Sequence, residues 1–391
     1  MRIAIVETAP FGGLLHYAVQ LGDGLADRGH SVDLITPRGH ELAGHDSAAN
    51  MRAILTPSVR TRDFAPTGRL ASVARRAAVA VRLTRSWLRI VWEVRRGRYD
   101  VVLQTGAIDV SVAAAGVVLL TWLPGMPPVA QVCHNARIFN RGRGGRQFGG
   151  NRTLIALLRT AFRRFDLVFM HGERSREEFE SAWVEAEITL IPHGDERLFA
   201  DRPPPPAPSE RVLFFGVWNR IKGLPVLMDA FDRLAVRRPE ATLTIAGAPS
   251  PQEVDVDAVM RWADSHGDRV EVIDHYVPLE EVPALFGRAR VVAAPYTLGY
   301  QSGVIHLAMT MARAVVASDV GDFRQAVADG ETGILVPPSD PEALSAALER
   351  VLEDPERATE MGAAGRSRVM SNSSWEAVAA EVESALAKLP G

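Results

Sequence analysis

The sequence predicts an α/β protein built from two parallel-sheet domains of similar size. Three observations carry that expectation. Short apolar runs alternate with helix-period stretches along the whole chain, as repeated βα units do. The alternation is interrupted once, by DRPPPPAPS at residues 201–209, and then restarts. The chain has 391 residues, whereas a single core rarely grows past about 250–300 residues.

The elements follow in order. Residues 2–6 (RIAIV) read as a buried strand. A loop with Gly12 and Gly13 leads into a helical pattern from Leu14 to Arg28, which Gly29 ends. A second strand is expected at 31–36, and further ones at 101–104, 129–132, 167–170 and 188–191. Residues 201–209 hold five prolines. Proline has no N–H and a fixed φ, so this run reads as a stiff linker. Beyond it come strand 211–216, helix 223–234, strand 242–246, helix 255–266, strand 270–274, helix 279–288 and strand 291–294. Two more units and a helix at 375–389 close the chain. The expected division is a first Rossmann-like domain at 1–200, a linker at 201–210, a second domain at 211–373, and a terminal helix within 374–391 packing back towards the first domain. Ligands of such sheets bind beyond the carboxyl ends of the strands, so the cleft between two such domains is the expected site.

Composition narrows the classes. Hydrophobic residues make up 47% and charged residues 23%, which excludes a disordered, collagen-like or coiled-coil chain. One cysteine, Cys133, excludes an intramolecular disulfide and a cysteine-built zinc site and suits a reducing compartment. The apolar start is broken at Glu7 and reads as a strand rather than a secretory signal, so a cytoplasmic protein is expected. The most apolar stretch, 110–132, carries Pro124, Pro127 and Pro128 and reads as buried rather than membrane-spanning. Residues 1–200 carry a net charge of +7 and residues 201–391 carry −10, which implies two domains with different electrostatic tasks. Lys222 and Lys388 are the only lysines, against 42 arginines, so a lysine inside the chain stands out.

Three segments carry chemistry. In FFGVWNRIKG (214–223) a strand ends at Gly216, a polar loop holds Arg220 and Lys222, and a helix opens at Gly223. A helix start beside glycine accepts anions, because its first N–H groups and its dipole point outward. Arg220 and Lys222 suit a diphosphate there; the alternative is an ordinary βα loop with a solvated basic pair. In residues 295–322, Ser302 and Gly303 open a second helix, with Ser302 as N-cap and the same capacity for an anion; the alternative is a capped helix and nothing more. His306, a turn inside it, reads as a packed or surface histidine rather than a catalyst. In residues 328–354, a DGETG turn, a short ILV strand and a helix beginning at Pro341 are structural taken alone. Separately, residues 69–98 hold nine arginines and one acid, Glu93, with apolar residues interleaved. That is a basic amphipathic helix. Arg75, Arg76, Arg82, Arg85 and Arg89 are its candidate contacts to an anionic membrane or an acceptor; the alternative is a surface helix with one face on the sheet. No nucleic-acid partner is expected, since the net charge is negative and no recognition motif occurs. RGRGGRQFGGNR (141–152) reads as an acceptor-side loop.

Taken together and in order, these segments resemble glycosyltransferases of the GT-B fold, in particular the large retaining family 4, glycosyl transferases group 1. LADRGHSVDLIT (25–36), IPHGDERLF (191–199), TGILVPPSDPEAL and MGAAGR add to a resemblance that covers nearly the whole chain. The resemblance implies a nucleoside diphosphate sugar bound mainly by the second domain and an acceptor bound mainly by the first. It places the phosphate lysine on Lys222. The family's arginine five residues earlier falls on Val217, so Arg220 is the candidate replacement charge. The family's Glu-x7-Glu pair falls on Gly299 and Leu307, so both carboxylates are missing, and Gln325 stands where Glu is common. QSGV (301–304) is similar to a subgroup whose Ser and Gly amides, here Ser302 and Gly303, cradle the diphosphate. The resemblance further implies that Gly12 and Gly13 lie against donor phosphates, that Tyr276 and Val277 flank the nucleobase, and that Gly299, Tyr300 and Gln301 form the donor-sugar loop. It implies that His134 contacts the donor sugar. His134, Lys222 and Arg220 are thus the expected catalytic set.

Retention by front-face attack needs no carboxylate nucleophile, and the resemblance implies no metal and no other cofactor. The acceptor is expected to be a carbohydrate, a lipid-linked molecule or a small molecule, in cell-envelope polysaccharide, glycolipid or metabolite synthesis. The expected location is the cytoplasm, with peripheral binding to the inner face of the membrane. The missing glutamates and Val217 motivate an alternative, a catalytically degenerate GT-B protein acting as a binding or partner subunit. A dinucleotide oxidoreductase fits poorly: TAPFGGLLH follows the first strand instead of G-x-G-x-x-G, and no acid closes the second.

Overall fold

The computed structural model describes residues 1–57, 69–106, 108, 111–134, 152–183, 187–199, 203–204, 210–250 and 253–390. They form two compact units, residues 1–192 with 375–391, and residues 193–374.

The first unit contains β1 (Arg2–Val6), α1 (Gly13–Asp27), β2 (Ser31–Pro37), β3 (Asn50–Leu55), α2 (Arg69–Gly97), β4 (Val101–Gln104), α3 (Ser111–Trp122), β5 (Val129–Val132), α4 (Arg152–Phe162), β6 (Leu167–Met170), α5 (Glu173–Ala182) and β7 (Ile188–Leu190). Its described strands make one sheet in the order β3-β2-β1-β4-β5-β6-β7, with parallel pairing throughout. Central β1 is apolar on both faces because helices cover both, and Ile3, Ala4, Ile5 and Val6 are fully buried. β3 has no counterpart in the sequence expectation. It is an edge strand of mixed polarity, NMRAIL, and gives no continuous apolar run.

The second unit contains β8 (Arg211–Phe215), α6 (Leu224–Arg237), β9 (Thr242–Ala246), α7 (Val256–His266), β10 (Val270–Ile273), α8 (Val282–Arg288), β11 (Val291–Ala294), α9 (Gly303–Thr310), β12 (Ala314–Ser318), α10 (Phe323–Ala326), β13 (Gly333–Val336), α11 (Pro341–Glu353) and α12 (Pro355–Asn372). Its sheet runs β10-β9-β8-β11-β12-β13. Alternation along β8 feeds two cores: Val212 and Phe214 join one with Phe231 and Leu348, and Leu213 joins the other with Phe286 and Met309.

The last helix, α13 (Trp375–Leu386), belongs to the first unit and lies on α1. Gly24 permits this approach, since a Cβ there would lie 3.0 Å from the Trp375 carbonyl oxygen and 3.1 Å from Ala379 Cβ. Arg28 fastens the other end on Glu383 at 2.5 Å.

The boundary departs from the expected residue 200. Residues 193–199 pack with the second unit, where the Glu196 N–H donates to Thr310 Oγ1 at 3.1 Å and Phe199 lies against the Phe286 core. Most of the proline linker falls outside the described residues, as does the 141–152 loop apart from Arg152. No helix among the described residues is long and apolar enough to cross a membrane.

Gly24→Val is expected to destabilise the first unit by about 1–3 kcal/mol, the usual cost of overpacking. Calorimetry should show the unfolding transition of that unit move down in temperature.

Candidate active site

In the second unit, the chain leaving β8 passes over the buried indole of Trp218. The Trp218 N–H donates to the Ala248 carbonyl (2.9 Å), and its own carbonyl accepts from Ser250 (2.8 Å). Val217 is left outside, 49% exposed. Asn219 caps a single 3-10 turn, Arg220–Lys222, its side chain accepting the Lys222 N–H at 3.2 Å. Gly223 follows at φ 70°, and a Cβ there would lie 1.8 Å from the Pro295 carbonyl oxygen. Only glycine fits such a left-handed close approach. The Thr297 N–H donates to the Ile221 carbonyl at 2.9 Å, so the loops after β8 and β11 are fastened together.

That junction sets the Lys222 ammonium on Tyr296. Nζ donates to Tyr296 Oη and lies 3.9 Å from the ring centroid. Tyr296 Oη is 3.0 Å from Ser302 Oγ, and Ser302 caps α9 by accepting the Ile305 N–H. One cation, one phenol and one capping hydroxyl therefore converge at a helix N-terminus, which favours negative charge.

His193 stacks on His306, with ring centroids 4.6 Å apart and planes 23° apart. His306 Nδ1 donates to the Ser302 carbonyl at 3.1 Å, and burial holds its pKa below the usual histidine value. A Cβ on Gly303 would lie 3.4 Å from Glu196 Oε1 and 3.6 Å from the His193 ring. A Cβ on Gly299 would make ordinary contacts with Tyr296 and Phe323, at 3.4 and 3.6 Å, while the Leu307 side chain is part of the core.

In the first unit the polar residues gather at the carboxyl ends of β1, β4, β5 and β6. Parallel pairing sets Val132 opposite Phe169, so His134 and His171, each two residues further on, come side by side. His134 Nδ1 is 3.3 Å from His171 Nε2, and His171 Nδ1 is 3.3 Å from the Ile191 carbonyl. Tyr17 of α1 meets His134 edge-on with centroids 4.7 Å apart, and Trp375 meets Tyr17 at 5.0 Å. At the end of β1, Glu7 is fully buried; it accepts from the Ala9 N–H (2.7 Å) and the Thr105 hydroxyl (3.1 Å). Burial pushes its carboxyl up to about 7 against those hydrogen bonds.

The other expected site residues have these surroundings. The Gly12 N–H, expected to face donor phosphate, donates to Glu41 Oε1 at 2.5 Å, and His16 Nε2 holds the same oxygen at 2.6 Å. A Cβ on Gly13 would meet nothing within 4 Å. Val277 is packed among Leu285 and Phe286, so its side chain is core, while Tyr276 beside it is half-buried. The Tyr300 ring is buried, and its carbonyl accepts from the Asp322 N–H; Gln301 is half-buried. Arg220 is exposed, with its backbone N–H towards Glu253 at 3.4 Å.

On α2, Val81, Leu88 and Trp92 form an exposed apolar stripe, with Arg85 exposed beside it and Arg89 and Arg96 over the Trp92 ring. Arg89 also pairs with Glu93 at 2.6 Å. Arg82 is half-buried, and the side chains of Arg75 and Arg76 lie outside the described residues. Sequence reasoning missed Tyr296, His171, His193 and Glu7. The one usable signal was position, since each stands at or just beyond a strand end.

The family model described as Glycosyltransferase Family 4 matches residues 11–194, and the one described as Glycosyl transferases group 1 matches residues 209–354. Among curated relatives, a glycogen synthase of Mycobacterium tuberculosis is 33% identical over 198 residues, covering 50% of this chain and 47% of that protein. A phosphatidyl-myo-inositol mannosyltransferase of Mycolicibacterium smegmatis is 32% identical over 198 residues, covering 49% and 50%. The chain spans about half the length of the curated relatives it matches. Among solved structures, Anabaena Alr3699/HepE in complex with UDP-glucose superposes with a TM-score of 0.73 at 16% identity, covering 100% of both chains. The two parallel-sheet units thus have the GT-B fold.

Glu7 makes a pH prediction. The unfolded carboxyl ionises near 4.5 while the folded one keeps its proton to about 7. Its contribution to stability is therefore fully present at low pH and is lost as pH rises through that window, by up to about 3 kcal/mol. Glu7→Gln should remove that slope and melt higher than the parent protein at pH 8.

Proposed function

The chain belongs to glycosyltransferase family 4, and from that membership we propose that it is an enzyme moving a sugar from a nucleoside diphosphate sugar to an acceptor with retention of configuration. The observation that carries this reading is the junction of Lys222, Tyr296 and Ser302 at the start of α9. A donor diphosphate placed there meets one ammonium and the first amides of a helix. As the bond from sugar C1 to the phosphate oxygen breaks, its electron pair moves onto that oxygen, and Lys222 and the α9 amides meet the growing charge. The acceptor hydroxyl attacks C1 from the face the phosphate leaves, and its proton passes to the departing phosphate oxygen. The charge is met by protein groups rather than a metal ion, and an assay in EDTA tests that feature. Arg220 adds positive charge beside the diphosphate, His134 accepts a hydrogen bond from a substrate hydroxyl, and the half-buried Tyr276 lies against the nucleobase.

UDP-glucose, the ligand of HepE, is the first donor to test. The phosphatidyl-myo-inositol mannosyltransferase acts, by its name, on a lipid-linked acceptor. Together with the stripe on α2, this supports a lipid-linked acceptor and peripheral work at the inner face of a membrane, from the cytoplasm.

Thermal unfolding with UDP, GDP, ADP and their sugar conjugates, in EDTA, should show one nucleotide raising Tm. At a hundredfold excess over Kd the gain is about 2.7 kcal/mol. Lys222→Ala should abolish that shift and lower kcat about 10²–10³-fold, as loss of one donor to developing charge does. No shift with any nucleotide would favour a degenerate binding subunit instead.

Vesicles with 30% phosphatidylglycerol test the membrane reading. The triple change Arg85→Gln, Arg89→Gln, Arg96→Gln should weaken co-sedimentation at least tenfold, given about 1 kcal/mol per basic residue. Unchanged binding would leave α2 as a structural helix.

A further inference from the structure

We infer that His171 is a positioning residue that fixes the tautomer and ring orientation of His134, so that His134 keeps its proton on Nδ1 and its lone pair on Nε2. The inference rests on the reading above only where it touches turnover; the geometry stands without it.

The chain of hydrogen bonds has one end of known polarity. A backbone carbonyl only accepts, so the proton of the contact to Ile191 sits on His171 Nδ1. A neutral His171 then has a bare Nε2, which accepts. Its neighbour at 3.3 Å is His134 Nδ1, which must supply the proton. With its proton on Nδ1, neutral His134 carries its lone pair on Nε2. The tautomer of one histidine is thus set by a carbonyl two hydrogen bonds away, the way outer partners fix ring tautomers at other functional sites.

The surrounding rings resist the alternative of turning the imidazoles over. Tyr17 stands at 85° to His134 and 64° to His171, with centroids at 4.7 and 5.4 Å. Tyr17 is itself held by Trp375 at 75° and 5.0 Å. Strand register supplies the placement. β5 and β6 pair in parallel at Val132 and Phe169, and the Cys133 N–H donates to the Phe169 carbonyl at 2.8 Å. Both histidines leave their strands at the same level, so neither has to reach for the other. An Nε2 lone pair is an acceptor for a sugar hydroxyl. The opposite tautomer would put an N–H there, which a hydroxyl can meet only through its oxygen.

The test reads the tautomer directly. A long-range 1H–15N spectrum of the full-length protein separates protonated from bare ring nitrogens, and comparison with His134→Gln assigns His134 among the ten histidines. In the parent protein, His134 should show a protonated Nδ1 and a bare Nε2. His171→Phe, which keeps a ring but no acceptor, should turn His134 into a mixture of tautomers. His171→Gln, whose amide oxygen can sit where Nε2 was, should restore the single tautomer. Where turnover is measured, kcat should fall at least tenfold in His171→Phe and return to within about threefold in His171→Gln, with KM for the donor little changed. A protonated Nε2 in the parent protein, or an unchanged His134 signal in His171→Phe, overturns the inference. The expected tautomer pattern in a protein that never turns over a donor supports the inference and overturns only the functional reading.

Discussion

The contact between Gly223 and the Pro295 carbonyl is the constraint on which the second unit's site depends. It brings the loop after β8 against the loop after β11, two strands that are neighbours in the sheet. With the loops pressed together, the Lys222 side chain has Tyr296 beneath it and Ser302 beyond. Backbone contacts hold the segments that carry that row: Asn219 caps the turn, Thr297 ties it down, and Ser302 caps α9. A site held this way loses little entropy when an anion arrives, because its donors are already aimed.

The two units solve the same problem with different chemistry. Both place polar residues at strand ends, where βα loops leave backbone and side chains facing outward. In the second unit the groups are a cation and a helix start. In the first they are imidazoles and a buried carboxyl, and the start of α1 is already occupied by the Glu41 carboxylate. The anion-accepting capacity of that helix is met from within the chain. The division follows the local sequence rather than the opposite net charges of the two halves.

Much of this was legible beforehand. The strands at 101–104, 129–132, 167–170, 242–246 and 291–294 stand at their expected bounds, because buried parallel strands are continuous apolar runs. Lys222, Ser302 and Gly303 were legible because a helix start and its cap have a local signature. What stayed hidden was contact between distant segments. Nothing near Tyr296 in the sequence says that Lys222 will lie on it, and the pairing of His134 with His171 follows only from register. β3 was hidden for a different reason, since an edge strand with NMRAIL offers neither a run nor a clean alternation. That the Val277 side chain turns inward to the core was equally hidden, since a loop residue carries no mark of which way it faces.

The return of α13 to α1 has a consequence for how the chain is made. The first unit's sheet leaves the ribosome early, but the helix that covers the Gly24 face follows only after the whole of residues 193–374. Until then the face of α1 that α13 covers lacks that helix, and the Trp375 ring that steadies Tyr17 is absent. The second unit, encoded without interruption, is free to complete itself first. Translation therefore inverts the usual N-terminal-first order of domain completion. The half-built first unit is the one most in need of shelter by chaperones during synthesis.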